Sequence, residues 1–243
     1  GIACLEFRGK MNVLDDGAVT MLAEALPTLA RIGGFRGLVI GNQGENFCAG
    51  ADLRTVLAAA EASDFAALER AVAALQTALM DLRHGDLPVV VAPHGLTLGG
   101  GVEVTLHGDA VVANSELYMG LVEIGVGLLP AGGGLKEMAR RASEWAAQVP
   151  EGDPYPFIRR AFENAAAGKV STSAHEARAL GFLTPTDGVV FHRARVVAEA
   201  KRRAIGLAEA GYVPPDRNAA ISLISTGRGA SLLMGAQMFF WGG

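Results

Sequence analysis

Ile2-Ala3-Cys4-Leu5-Glu6-Phe7 opens the chain as an apolar run that reads as a β-strand. Behind it, Val19, Leu22, Leu26 and Leu29 recur at the three/four spacing of one helical face. Asp15 and Asp16 stand in front as caps, and Gly33-Gly34 stops the pattern. Pro27 lies inside it and is expected to bend the helix or shift its start. Gly37 to Gly41 is a short buried strand, followed by a polar loop from Asn42 to Asn46. Asp64 to Leu82 is a long Ala/Leu helix, and Leu87 to Ala92 another buried strand. Gly99-Gly100-Gly101 leads into a helix from Val102 to His107, and Ala110 to Ala113 is again a strand. A second glycine run, Gly132-Gly133-Gly134, precedes a helix from Leu135 to Ala147. Pro150 to Pro156 reads as a loop. Beyond it the pattern is helical, with one break at Thr184 to Gly188.

Short buried strands alternating with helices make this an α/β chain. On this pattern the strands stop after roughly the first half, and a helical cover follows. The expected division is an α/β core over residues 1–190 and a helical C-terminal segment over 191–243.

Composition narrows the picture. Half of the 243 residues are hydrophobic and 19% are charged, which leaves ample material for a core. The net charge of −4 and the lack of a long basic stripe argue against nucleic acid as a partner. The densest basic run, Arg193, Arg195, Lys201, Arg202 and Arg203, reads as the wet face of a helix. Cys4 and Cys48 are far apart, which is neither a disulfide framework nor a metal pattern and suits a reducing cytoplasm. No apolar run reaches the ~18 residues of a membrane helix, and no secretory signal opens the chain. The start inside an apolar stretch without Met, and the end just after Phe239-Phe240-Trp241, suggest a fragment of something longer whose apolar end covers a surface.

Three glycine-containing segments can carry chemistry: Phe47 to Leu53, Leu98 to Glu103, and Gly120 to Pro130 with Gly132-Gly133-Gly134 behind it. Glycine lets backbone approach a ligand closely. Helix starts leave N–H groups free and favour negative charge. Such a donor site suits a phosphate or an oxygen that gains charge during reaction, but neither phosphate-binding glycine signature is present. Glu103 lies just inside a helix start, and Glu123 sits in an apolar stretch where desolvation favours its protonated form. Two carboxylates beside a donor pair suit addition or removal of water next to a carbonyl. Plainer readings stay open: Glu103 as a favourable helix-start charge, Glu123 on a wet loop, the glycines as turns. His94 and His107 flank the second segment and read as structural, and Cys48 as a small packing residue.

At these three segments the sequence resembles the crotonase superfamily. The family's F-x-A-G-A-D segment is matched by Phe47 to Asp52, and its G-G-G-x-E segment by Gly99 to Glu103. Its third segment, a Glu seven residues before a Pro that leads into glycines, is matched by Glu123, Pro130 and Gly132-Gly133-Gly134. The match runs in order from about Lys10-Met11-Asn12 to Thr186. Within the superfamily, Gly41 to Gly44, Leu96 to Gly101 and Tyr118 to Glu123 are similar to the hydratase part of bacterial multifunctional 3-hydroxyacyl-CoA dehydrogenases.

The resemblance implies a crotonase-like fold of repeated ββα units with a helical C-terminal part. It implies hydration of trans-2-enoyl-CoA in fatty-acid β-oxidation, with no cofactor beyond the CoA of the substrate and no metal. Ala51 and Gly100 would offer the amides of the oxyanion hole. Glu103 would activate the water, and Glu123 would help hold it and deliver a proton to the α-carbon. Ala49, Gly50, Asp52, Arg54 and Gly99 would line the acyl-CoA thioester, Arg54 as a phosphate contact or, alternatively, as a solvent-facing side chain. The implied partners are a dehydrogenase portion of the parent chain and two further copies in a homotrimer. The chain departs from the pattern at Val122, where many hydratases have Pro, in a longer stretch from Pro150 to Phe162, and in shortened C-terminal helices. Two competing readings keep the scaffold: a Δ3,Δ2-enoyl-CoA isomerase, and a non-catalytic acyl-CoA-binding domain of a larger enzyme.

Overall fold

The computed structural model describes the backbone of residues 1–241 and the side chains of residues 1–235. The apolar Phe239-Phe240-Trp241 end, expected to cover a surface, has its side chains outside the described residues.

Three-residue apolar runs supply most of the main sheet. The strands are β1 (Ala3–Leu5), β2 (Leu38–Ile40), β3 (Val89–Val91), β5 (Ala110–Asn114) and β7 (Gly188–Val190), in the order β1-β2-β3-β5-β7. Every neighbouring pair is parallel. A parallel sheet needs both faces covered, and these strands are apolar at consecutive positions, not alternate ones. Leu38, Ile40, Val89 and Val91 face α1 (Asp16–Ile32) and α3 (Phe65–Arg83) in one core cluster. Val39, Val90, Ala110 and Val112 face Val196, Ala200 and Ala204 of α8 (Val196–Glu209) in another.

A second, two-stranded parallel sheet pairs β4 (Gly95–Leu98) with β6 (Leu117–Gly120). Its core lies against α4 (Gly100–Leu106), α5 (Gly134–Ala147) and α7 (Ala174–Ala179). The remaining helices are α2 (Leu53–Glu61), α6 (Tyr155–Ala166) and α9 (Thr226–Trp241). Among the described residues no helix is long and apolar enough to cross a membrane.

Local chemistry sets the boundaries of α1. Asp15 caps it by accepting from Ala18 N at 2.8 Å, and Gly33 ends it at φ +77°. Pro27 lies within it, and the helix continues through to Ile32. The basic run on and before α8 is exposed, and Glu199 pairs there with Arg195 and Arg202.

One sequence expectation fails: the strands do not stop in the first half. Gly188-Val189-Val190, in and just after the break at Thr184 to Gly188, forms β7 by pairing with Val112 to Asn114. Three half-buried residues carry no periodicity of their own, and only the free edge of β5 makes them a strand. Leu53 to Glu61 is a further helix beyond those expected: Leu53, Val56, Leu57 and Ala60 stand at helical spacing, but no residue of it is buried.

Candidate active site

The second sheet brings the three glycine segments to one place. β4 and β6 are parallel and in register, with Leu98 opposite Gly120, and Gly99 N donates to Gly120 O at 2.9 Å. Two parallel strands that end side by side release their following segments on the same edge. After β4 comes α4 with Glu103; after β6 comes a 3-10 turn, Glu123–Val126, with Glu123. The first segment joins through bridges of Cys48 to Thr97 and of Leu14 to Ala51.

That last bridge frees a donor. Leu14 N donates to Gly50 O and Asp52 N to Leu14 O, so Leu14 uses the groups flanking residue 51 and leaves the Ala51 amide directed elsewhere. Gly100, the first residue of α4, has an amide with no intrahelical acceptor. Neither amide donates to another backbone group among the described residues. They are neighbours: Ala51 N lies 3.8 Å from where a Cβ on Gly100 would stand, and Gly100 N lies 3.9 Å from the corresponding point on Gly50. Gly50 holds φ +98°, which only glycine adopts without strain, and so turns the chain between Ala49 and Ala51.

Glu103 is buried, only 3% exposed. Its Oε1 accepts from Gly134 N, the first amide of α5, at 2.8 Å. A methyl group on Gly132 would overlap its Oε2 and Leu75 of α3. Burial pushes the Glu103 carboxyl up to about 7; the Gly134 and Gly132 amides oppose the rise and the Glu123 charge adds to it. Glu123 packs its Oε1 against Gly99, while its Oε2 is buried with no hydrogen-bond partner among the described residues. Burial raises the Glu123 pKa as well, against its own and the Val122 amides. The structure thus places Glu103 and Glu123 within electrostatic reach of each other, beside the Ala51–Gly100 amide pair.

The other sequence candidates divide. Ala49 N is tied to Met11 O, and Gly99 accepts the first bonds of α4. Asp52 caps α2 through Arg54 N, 3.1 Å away. Arg54 is 87% exposed in its side chain and 3.5 Å from Asp52, so it faces solvent. Cys48 is buried, and burial pushes its thiol up to about 12, which leaves a packing residue at neutral pH. His94 lies between the Ala92 and Gly44 carbonyls. The sequence reading did not find the Gly134 amide or Leu75, because nothing along the chain ties residues 75 or 134 to residue 103.

A family model described as enoyl-CoA hydratase/isomerase matches residues 1–149, which takes in all three glycine segments. The chain belongs to the enoyl-CoA hydratase/isomerase family. It is similar to a probable 3-hydroxyacyl-CoA dehydrogenase of Bacillus subtilis, 38% identical over 240 residues, 97% of this chain and 29% of that protein. It is also similar to human mitochondrial methylglutaconyl-CoA hydratase, 35% identical over 132 residues, 53% of this chain and 37% of that protein. The chain therefore spans less than a third of the length of the Bacillus relative. Among solved structures, an enoyl-CoA hydratase from Polaromonas sp. JS666 superposes with a TM-score of 0.70 at 26% identity, covering 84% of this chain and 73% of that one. The crotonase superfamily, the α/β class and the crotonase-like fold expected from the sequence are borne out.

Proposed function

We propose that this family member hydrates trans-2-enoyl-CoA to 3-hydroxyacyl-CoA. The observation that carries the reading is the meeting of a buried carboxylate, Glu103, and a half-buried one, Glu123, with two unengaged amides at one edge of the β4–β6 sheet. The Ala51 and Gly100 amides receive the thioester oxygen as it gains enolate charge, and one such donor is worth ~2.7–4 kcal/mol of transition-state stabilisation. Ionised Glu103 accepts a hydrogen bond from the water and orients its oxygen toward the β-carbon. As the C–O bond forms, Glu123 takes the water's other proton and passes it to the α-carbon. The electron pair of the double bond goes through the enolate to the new C–H bond. Both carboxylates end as they began, and the balance needs no cofactor or metal.

Gly50, Ala49, Gly99 and Asp52 shape the thioester's bed. Leu53 and Leu57 of α2, Ile124, Val126, Leu128 and Leu129 after Glu123, and Leu135 of α5 are exposed on the elements that frame the site. They offer apolar surface to an acyl chain. Arg54, exposed to solvent beside Asp52, offers a positive charge to a CoA phosphate.

The 3-hydroxyacyl-CoA product is the substrate class of a 3-hydroxyacyl-CoA dehydrogenase, the activity in the name of the Bacillus relative. That relative supports a parent protein in which a dehydrogenase portion consumes what this domain makes. A cytoplasmic setting and a homotrimer complete the reading.

The test is hydration of crotonyl-CoA by the intact protein, with Glu103→Gln and Glu123→Gln each lowering kcat by about 100-fold or more. Unchanged rates in both variants refute it. Double-bond migration without uptake of solvent oxygen would show an isomerase instead.

A further inference from the structure

Behind Glu103 lies a buried polar cluster that the hydration chemistry does not use. His107 ends α4, one helical turn after Glu103, and its Nδ1 lies 2.7 Å from the Glu103 backbone oxygen. A carbonyl only accepts, so Nδ1 carries the hydrogen and Nε2 is left with a lone pair. Burial pushes this imidazole down to about 4, so it is neutral at pH 7. Lys136 Nζ lies 3.3 Å from that bare Nε2 and 3.0 Å from Glu137 Oε1. Glu137 is fully buried; Arg140 Nε meets it at 2.7 Å and Arg83 Nη1 at 3.4 Å. Burial by itself would raise the Glu137 pKa, but the positive groups around it, His107, Arg140 and Arg83, hold it at about 2. With His107 neutral, the two arginines and Lys136 are the cations standing beside it.

Lys136 and Glu137 belong to the first turn of α5, the turn whose leading amide, Gly134 N, is bonded to the Glu103 carboxylate. The contacts close a ring. From the Glu103 carboxylate it runs through Gly134 into α5, through Lys136 to His107, and back to the Glu103 carbonyl. Gly133, at φ +110°, brings the loop so close that a Cβ there would stand 2.9 Å from His107 Cε1. We propose that His107 and Lys136 are positioning residues that clamp the start of α5 onto α4 and thereby hold the Gly134 amide on the Glu103 carboxylate. Neither touches substrate. Their effect reaches the reaction as the ionisation of Glu103, because an amide bonded to a carboxylate favours its charged form. The charged groups around Glu103 are Glu123 on its open side and, one layer behind, Lys136, Glu137, Arg140 and Arg83.

The inference rests on ionised Glu103 holding the attacking water, so its test reads Glu103 directly as well as through turnover. In the intact protein with 13C-carboxyl-labelled glutamate, the Glu103 resonance, assigned by its loss in Glu103→Gln, is titrated by NMR. His107→Asn keeps a donor for the Glu103 carbonyl, cannot reach Lys136 and leaves the net charge at pH 7 unchanged. It should raise the Glu103 midpoint by about 0.5 pH unit, the size of one modest hydrogen bond. Lys136→Met should do the same, and the double variant should shift no further, since both cut one link. Lys136→Arg, which keeps a donor and the charge, should restore the wild-type midpoint. The acid limb of kcat/KM should move upward with the midpoint. An unmoved midpoint in His107→Asn, or shifts that add in the double variant, overturns the clamp. Lys136 is partly exposed, so its variants keep the test open if His107→Asn does not fold. A shifted midpoint in a protein with no hydratase activity supports the clamp and sinks the hydratase reading instead.

Discussion

Glu103→Gln should make the protein more stable at alkaline pH while lowering the proposed hydratase activity. The carboxyl is buried, and its pKa stands at about 7 against an ordinary 4.5, a rise of about 2.5 units. Below the unfolded value both states hold the proton and the group has no effect. As pH rises, the unfolded chain ionises first, and the folded state loses stability until it too ionises near 7. At ~1.36 kcal/mol per unit, the full loss is on the order of 3 kcal/mol. Glutamine cannot ionise, keeps an oxygen for the Gly134 amide and has nearly the same shape. The variant should therefore exceed the wild type by about 3 kcal/mol at pH 8 and by only about 1 kcal/mol at pH 5. Urea unfolding at both pH values, with the m-value checked for constancy, measures the difference. A difference that does not grow between pH 5 and pH 8, or a variant less stable than the wild type at pH 8, would refute the claim that this carboxylate ionises against its surroundings.

Two further outcomes follow from the same geometry. In the proposed mechanism Glu103 holds the water as an anion, so kcat/KM for an enoyl-CoA should fall about tenfold per unit as pH drops below about 7, which initial rates across pH 5–9 will show; a flat profile there would exclude Glu103 as the anion that holds the water. Gly132→Ala drives a methyl into the Glu103 carboxylate and Leu75, so it should cost about 1–3 kcal/mol in thermal or urea unfolding and lower kcat; a neutral result on both would mean the α5 entrance can yield.

Much of the candidate site was legible along the chain because its pieces are local. Glycines at 50 and 99 have to be glycine where they stand, since their backbone takes positive φ, and this leaves a visible signature. Glu103 and Glu123 stand at fixed offsets from such turns. The α1 cap, the long α3 and the buried runs of β2, β3 and β5 were readable for the same reason: each is set by side chains a few residues apart.

What sequence by itself determined, then, was composition, the order of most elements and which residues were candidates for the chemistry. Tertiary structure alone decided what those residues feel. The rise of Glu103 to about 7 comes from burial inside the folded chain, and the amides that hold it in check lie thirty residues away. The strand at Gly188–Val190 exists because β5 has a free edge, and His107 gains its part because α5 folds back with Lys136. Desolvation, edge pairing and through-space hydrogen bonds depend on which distant segments meet, and no local pattern of residues encodes that meeting.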